Sequence, residues 1–178
     1  KRQVRARRGT TVVLVAKGQR LLGWLEFSDR IRETSEAAVR RLKQAGIHVI
    51  MLTGDREEVA QTVAETVGIT EVVAGVKPDE KADHVRRLQQ DGVVAMIGDG
   101  INDAAALTVA NVGIAMGAGS EIALESADIV LVRDDLADAV AALELGRATM
   151  ARIRTNLAWA FVYNLIGLPL AMGLLFPW

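Results

Sequence analysis

Three short polar clusters in this 178-residue chain hold the groups needed to handle a phosphoryl anion and a hard cation. The first is Thr53-Gly54-Asp55, which closes the run MLTGD. The second is Lys77-Pro78-Asp79-Glu80-Lys81. The third is Gly98-Asp99-Gly100 with Asn102 and Asp103, inside VVAMIGDGINDAAAL. The Thr53 hydroxyl can donate to a phosphate oxygen, and the Lys81 ammonium can neutralise one. Asp99, helped by Asp103, can hold an oxygen-seeking cation such as Mg2+ that offsets the phosphoryl charge. Gly54, Gly98 and Gly100 let backbone N–H groups come close to an anion. Taken alone, TGD is also an ordinary capped turn and DG a tight turn. Both at strand ends, with Lys81 between them, argue for a site.

The elements that must position these clusters follow from the hydrophobic pattern. TTVVLVA and LLGWLEF, joined by Lys17-Gly18-Gln19, read as a β-hairpin. A helix is expected over 34–45, with apolar residues at 38, 39, 42 and 45, followed by a strand in IHVIML. A helix over 57–67 leads to a strand in EVVAG, and a helix over 78–90 opens with Pro78 and two acids in its first turn. Strands follow in VVAMI, NVGIAM and DIVLV, with a short helix after the first, and a last helix starts near Asp135. Short strands that are apolar on both faces and separated by helices predict an α/β fold, a parallel sheet covered on each side. In such a sheet the ligand site lies beyond the carboxyl ends of the strands, where the three clusters fall.

The formal net charge of −1, from 21 basic and 22 acidic residues, provides no global field for nucleic acid. KRQVRARR at the start is locally basic and reads as a solvated flank. The absence of Cys excludes disulfides and thiolate metal sites within the chain. The chain does not begin with Met and shows no signal pattern, so a piece of a longer protein is expected. Leu157–Trp178 holds 22 residues without a formal charge, which as a helix would span roughly 33 Å, against a hydrocarbon core of about 30 Å. Arg147, Arg152 and Arg154 precede it and Trp159, Tyr163 and Trp178 lie toward its ends, so a transmembrane helix entering from the cytoplasmic side is expected. His48 and His84 read as structural or exposed residues, and Met172, a possible soft ligand, as a lipid or packing contact.

The order Thr53, Lys81, Gly98-Asp99-Gly100-x-Asn102-Asp103 resembles the later motifs of the haloacid dehalogenase superfamily. The longer text MLTGD…KPDEK…MIGDGINDAAAL…VGIAMGAGSEIALESADIVL is similar to the phosphorylation domain of P-type ATPases. That resemblance implies a haloacid dehalogenase-like sheet that uses ATP and Mg2+. Thr53, Gly54 and Asp55 would form one motif, Thr53 and Lys81 would contact the phosphoryl group, Asp99 would ligate Mg2+, and Asn102 and Asp103 would complete the site. Ala104-Ala105 stands where pumps of the family often have Ala-Pro. None of the 11 Asp residues is followed by Lys, and no Asp-x-Asp occurs, so the phosphorylated Asp of the family's Asp-Lys-Thr-Gly-Thr sequence is not in this chain.

By the same resemblance, residues 1–27 would end a nucleotide-binding domain, 28–146 would be the phosphorylation domain, and 147–178 a juxtamembrane and transmembrane helix. The tail resembles that of copper-type heavy-metal pumps, which makes Tyr163 and Asn164 ligands of a transported ion, Cu(I). Zinc-type relatives usually carry Lys near Asn164, and Zn2+ or Cd2+ is the alternative ion. The implied partners are membrane lipid and the remaining domains of the pump, with the phosphorylation domain on the cytoplasmic side. A free-standing phosphatase and a catalytically inactive membrane-anchored regulator are the competing readings.

Overall fold

The computed structural model describes residues 11–18, 20–27, 31–99, 102–117 and 121–173. The basic flank, Gly100, Pro177 and Trp178 lie outside the described residues. The chain divides into two compact units, Lys1–Val140 and Ala141–Trp178.

The first unit opens with β1 (Thr11–Lys17) and β2 (Arg20–Phe27), the expected antiparallel hairpin. Helix α1 (Glu33–Gln44) has acids in its first turn and bases in its last, matching the helix dipole, and buries Ala38, Val39 and Leu42 on one face. Strand β3 (Ile50–Leu52) leads to α2 (Glu57–Val67), which ends at Gly68 in the left-handed conformation, φ 79°. Strand β4 (Glu71–Val73) pairs parallel with β3. Helix α3 (Pro78–Leu88) begins at Pro78, where the missing N–H costs nothing, and the Glu80 carboxylate accepts from the Lys77 N–H at 3.2 Å. Then come β5 (Ala95–Gly98), α4 (Ala104–Val109), β6 (Val112–Met116), α5 (Glu121–Ser126) and β7 (Ile129–Leu131). Helix α5 was not anticipated, because six residues are too few to display a 3.6-residue period.

Among the described residues the parallel strands form two hydrogen-bonded groups, β3-β4 and β5-β6-β7. Each has its own core. Val39, Ala64, Val67 and Ile69 pack under the first, with Met51 and Leu136 against them. Val85, Met96, Ala106, Leu107 and Ala115 pack under the second. Burial of this apolar surface, at about 25 cal/mol per Å2, is what holds the helices on the strands.

The last helix, α6 (Leu136–Ala171), starts in the first unit, with Ala139 and Val140 buried, and makes up most of the second. Among the described residues no helix is long and apolar enough to cross a membrane, and the transmembrane helix expected over 157–178 runs on into 174–178, outside the described residues. Arg152, Arg154, Thr155 and Asn156 hold the two turns before the apolar stretch, Asn164 interrupts it, and its described part ends at Gly173. Leu157, Trp159, Phe161, Leu165, Ile166 and Leu168 are nonetheless exposed on α6.

Candidate phosphate and magnesium site

Thr53 directly follows β3, and its N–H donates to the Val73 carbonyl, extending the pairing with β4 by one step. Its hydroxyl is held in a closed turn, donating to Asp55 Oδ2 at 3.0 Å and accepting from the Asp55 N–H at 3.1 Å. The same turn is tied to the loop entering α3. The Val76 N–H donates to the Thr53 carbonyl at 3.0 Å, and the Gly75 N–H to the Asp55 carbonyl at 2.8 Å. The turn is thus bonded to the two residues that lead into the second cluster.

Lys81 lies one turn into α3, and the packing of α3 on α4 aims it at the third cluster. Its ammonium donates to Asp103 Oδ1 at 2.5 Å, with each side chain only 12% exposed. Asp103 immediately precedes α4, the position at which Asp ordinarily caps a helix, yet its side chain makes no cap hydrogen bond. The carboxylate is committed to Lys81 instead. Asp99, just beyond β5, is exposed and is oriented by Asn102, whose backbone N–H donates to Oδ1 at 3.2 Å and whose side-chain amide donates to Oδ2 at 3.4 Å. Among the described residues no group of three or more His, Cys, Asp or Glu side chains is placed to hold a metal ion by itself.

Gly98 has a role the spacing did not reveal. A Cβ built there would lie 2.7 Å from the Asp103 Cβ and 2.8 Å from its Cγ, so this glycine clears space for the carboxylate. At Gly54 the nearest atom would be the Val76 carbonyl oxygen at 3.3 Å, a much milder contact. Gly98→Ala is therefore expected to cost about 1–3 kcal/mol by overpacking, and Gly54→Ala less. Urea unfolding of the two variants checks this, and equal costs would contradict the assigned role of Gly98.

Sequence reasoning also missed the residues that set the ends of β5 and β6. Asn111 Oδ1 accepts from the Val94 N–H at 2.9 Å and from the Gln89 amide at 3.2 Å, and Asp128 Oδ2 accepts from the Gly113 N–H at 2.8 Å. Their only sequence signal is a polar residue directly before an apolar run. In the second unit, Tyr163 is exposed on α6, and Asn164 shares a shallow groove with Phe161, Val162, Leu165, Leu168 and Pro169. Pro169 cannot donate to the Leu165 carbonyl one turn earlier.

The family model of the haloacid dehalogenase-like hydrolases matches residues 2–111, and a second model of the same description matches residues 81–143. The chain belongs to the haloacid dehalogenase-like hydrolases. Within them its relatives are heavy-metal P-type ATPases. It is 48% identical over 172 residues to copper-transporting ATPase 1 of Mus musculus, covering 96% of this chain and 12% of that protein. It is 50% identical over 168 residues to the copper-exporting P-type ATPase of Vibrio cholerae, covering 94% of this chain and 18% of that one. In three dimensions it matches a zinc-transporting PIB-type ATPase in an E2.Pi state with a TM-score of 0.79 at 39% identity, covering 93% of this chain and 27% of the other. The chain therefore spans less than a third of these relatives. The Thr53 turn is bonded to the loop entering α3, and Lys81 of α3 to Asp103.

Proposed function

We propose that this segment supplies the phosphate- and magnesium-binding half of the phosphorylation site in a membrane-bound, ATP-driven pump that exports Cu(I). The observation that carries the reading is the near-buried Lys81–Asp103 pair set beside the exposed, Asn102-oriented Asp99. The donor set fits Mg2+, which is bound through one or two carboxylates together with phosphate oxygens and water. Asp99 is the exposed carboxylate that would face it, while Asp103 has one oxygen engaged by Lys81 and acts by holding that ammonium in place. Bound there, Mg2+ supplies neutralisation of phosphoryl charge. Lys81 neutralises a second oxygen, the Thr53 hydroxyl turns its one proton from Asp55 Oδ2 to a third, the Asp55 N–H with Gly54 keeps the Thr53 turn, and Asn102 keeps Asp99 oriented.

Phosphoryl transfer from ATP then goes to an aspartate outside this chain. Among the described residues β3 pairs only with β4 and β5 only with β6, so each keeps an edge at which a further parallel strand can add. ATP places this domain on the cytoplasmic side, with the remaining pump domains as its partners and lipid around the whole protein.

Tyr163 and Asn164 are proposed to serve the transported ion, as an oxygen-bearing pair on α6. Cu(I) is favoured over Zn2+ or Cd2+ because the relatives at 48% and 50% identity are copper pumps, whereas the zinc-transporting structure stands at 39%. The test is the ATPase rate of the full-length protein in membranes against free Cu(I), Ag(I), Zn2+ and Cd2+. Wild type is expected to respond to Cu(I) and Ag(I), and Asn164→Lys to lose that response. Two unit charges 4 Å apart repel by about 4 kcal/mol at an effective dielectric of 20, roughly a thousandfold in binding. Stimulation by Zn2+ and Cd2+ alone would reassign the ion, and no stimulation by any metal would remove the pump reading in favour of a phosphatase or regulator.

A further inference from the structure

Helices α3 and α4 are joined at both ends and in the middle, and each end is held by a different kind of polar bond. At the start of both helices Lys81 donates to Asp103 at 2.5 Å. In the middle, Val85 of α3 packs with Ala106 and Leu107 of α4 in one buried cluster. At the far ends Gln89, which closes α3, donates through Nε2 to the Val109 carbonyl of α4 at 2.8 Å and to Asn111 Oδ1 at 3.2 Å. The Val109 carbonyl is among the last four of α4, which have no partner within the helix, so the Gln89 amide supplies one. Asn111 carries the link on into the sheet. Its oxygen accepts from the Val94 N–H at 2.9 Å, while its own backbone N–H donates to the Val94 carbonyl at 3.0 Å, one step before β5 and β6 begin to pair. The partners fix which amide atom faces which: a backbone N–H only donates, so it meets the Asn111 oxygen, and a carbonyl only accepts, so it meets the Gln89 nitrogen. Every bond in this arrangement joins residues between 81 and 112.

The two ends are unequal when the site is at work. In the reading of Thr53, Lys81 and Asp99 as one phosphate site, the Lys81 ammonium gives part of its hydrogen bonding to a phosphoryl oxygen, and its hold on Asp103 loosens. Helix α4 has six residues, too few to be stable by itself, so its place depends on what it packs against. On the sheet side the fit is tight: a Cβ at Gly113 of β6 would lie 2.6 Å from the Leu107 carbonyl oxygen. Toward α3 the apolar contacts in the middle are non-directional and leave the two helices free to slide. The amide bonds at the far end are directional and fix the register. Gln89 stands two helical turns beyond Lys81, about 12 Å along α3. We propose that Gln89, backed by Asn111, is a positioning residue for Lys81: it keeps α3 in register on α4 while the ammonium turns from Asp103 to the phosphoryl group. This rests on the reading of Lys81 as a phosphate ligand.

The experiment uses the full-length enzyme and measures phosphoenzyme formation from Mg-ATP per folded molecule, with kcat and KM for ATP and a urea midpoint for each variant. Gln89→Met, close in length but without the amide, is expected to lower kcat roughly tenfold, as a misplacement of less than an ångström would, with KM little changed. Exchanging amide for carboxylate then separates the two residues. Asn111→Asp keeps the accepting oxygen and should keep most of the rate, whereas Gln89→Glu sets an oxygen against two acceptors and should be at least as slow as Gln89→Met. Leu42→Ala, buried on α1, is the stability control: it should lower the urea midpoint at least as far as Gln89→Met does and leave kcat unchanged. Wild-type kcat in a folded Gln89→Met enzyme overturns the proposal, as do equal losses from Asn111→Asp and Gln89→Glu. A tenfold loss in Leu42→Ala overturns it too, because the rate would then follow stability, and a Gln89→Met chain that does not fold overturns it on the same ground. A wild-type enzyme that forms no phosphoenzyme, or a Lys81→Met enzyme that forms it at the wild-type rate, overturns the site reading itself, and the proposal with it.

Discussion

Asp99→Asn in the full-length enzyme is expected to abolish phosphoenzyme formation from ATP while leaving nucleotide binding in place. The change removes one negative charge and almost no volume. The two Asn102 donors that now converge on the Asp99 carboxylate, at 3.2 and 3.4 Å, would meet an amide that can accept through only one of its ends. A cation at this position contributes several kcal/mol of charge stabilisation, and about 4 kcal/mol corresponds to a thousandfold in rate. The check is radiolabel transfer from γ-labelled ATP across a Mg2+ titration, with nucleotide affinity measured in parallel. Wild-type phosphoenzyme levels in the variant would refute the assignment of Asp99, and joint loss of nucleotide affinity would point to a wider structural effect.

A second large effect is expected at Lys81, where stability and activity should separate. Lys81→Met keeps the length and apolar stem of the side chain but leaves the Asp103 carboxylate, 12% exposed, without its cation. Breaking such a pair from one side costs about 3 kcal/mol, because the remaining charge is neither solvated nor compensated. Replacing Asp103 by Asn in the same protein removes that charge, so Lys81→Met/Asp103→Asn should regain most of the lost stability. It should not regain activity, since the ammonium that neutralises the phosphoryl oxygen is still missing. Urea unfolding of the first unit's signal and phosphoenzyme assays on wild type and both variants decide the matter. A double variant as unstable as Lys81→Met would show that the pair does not act through charge compensation, and phosphorylation at the wild-type rate in either variant would remove Lys81 from the site.

Much of the fold was legible because it is written in local signals. Pro78 with Asp79 and Glu80 marks the start of α3, Gly68 marks the end of α2, and the apolar positions of α1 fall on one buried face. Strand ends were read too long, as at IHVIML, where only Ile50–Leu52 pairs. Residues such as His48 are apolar-run neighbours in sequence, but His48 reaches outward to Glu71 at 3.1 Å and stands 68% exposed. The run without formal charges from Leu157 extends to Trp178, past the described residues, and within them Asn164 lowers the hydropathy of α6.

The sequence by itself determined which chemical groups are available and in what order the strands deliver them: a hydroxyl, an ammonium, then carboxylates and an amide, each at the mouth of a short apolar run. Periodicity and caps act over one or two turns, so they can be read without knowing what packs against what. Only the tertiary structure decided how those groups spend their hydrogen bonds. Lys81 meets Asp103 across 22 positions because α3 packs on α4, and Asp103 fits there because Gly98 has no side chain. Thr34 meets Asp135 across 101 positions because β7 leaves one strand group and α6 enters the core of the other. Such pairings follow from the burial of two separate apolar cores, a property of the whole packed unit that no stretch of local sequence encodes.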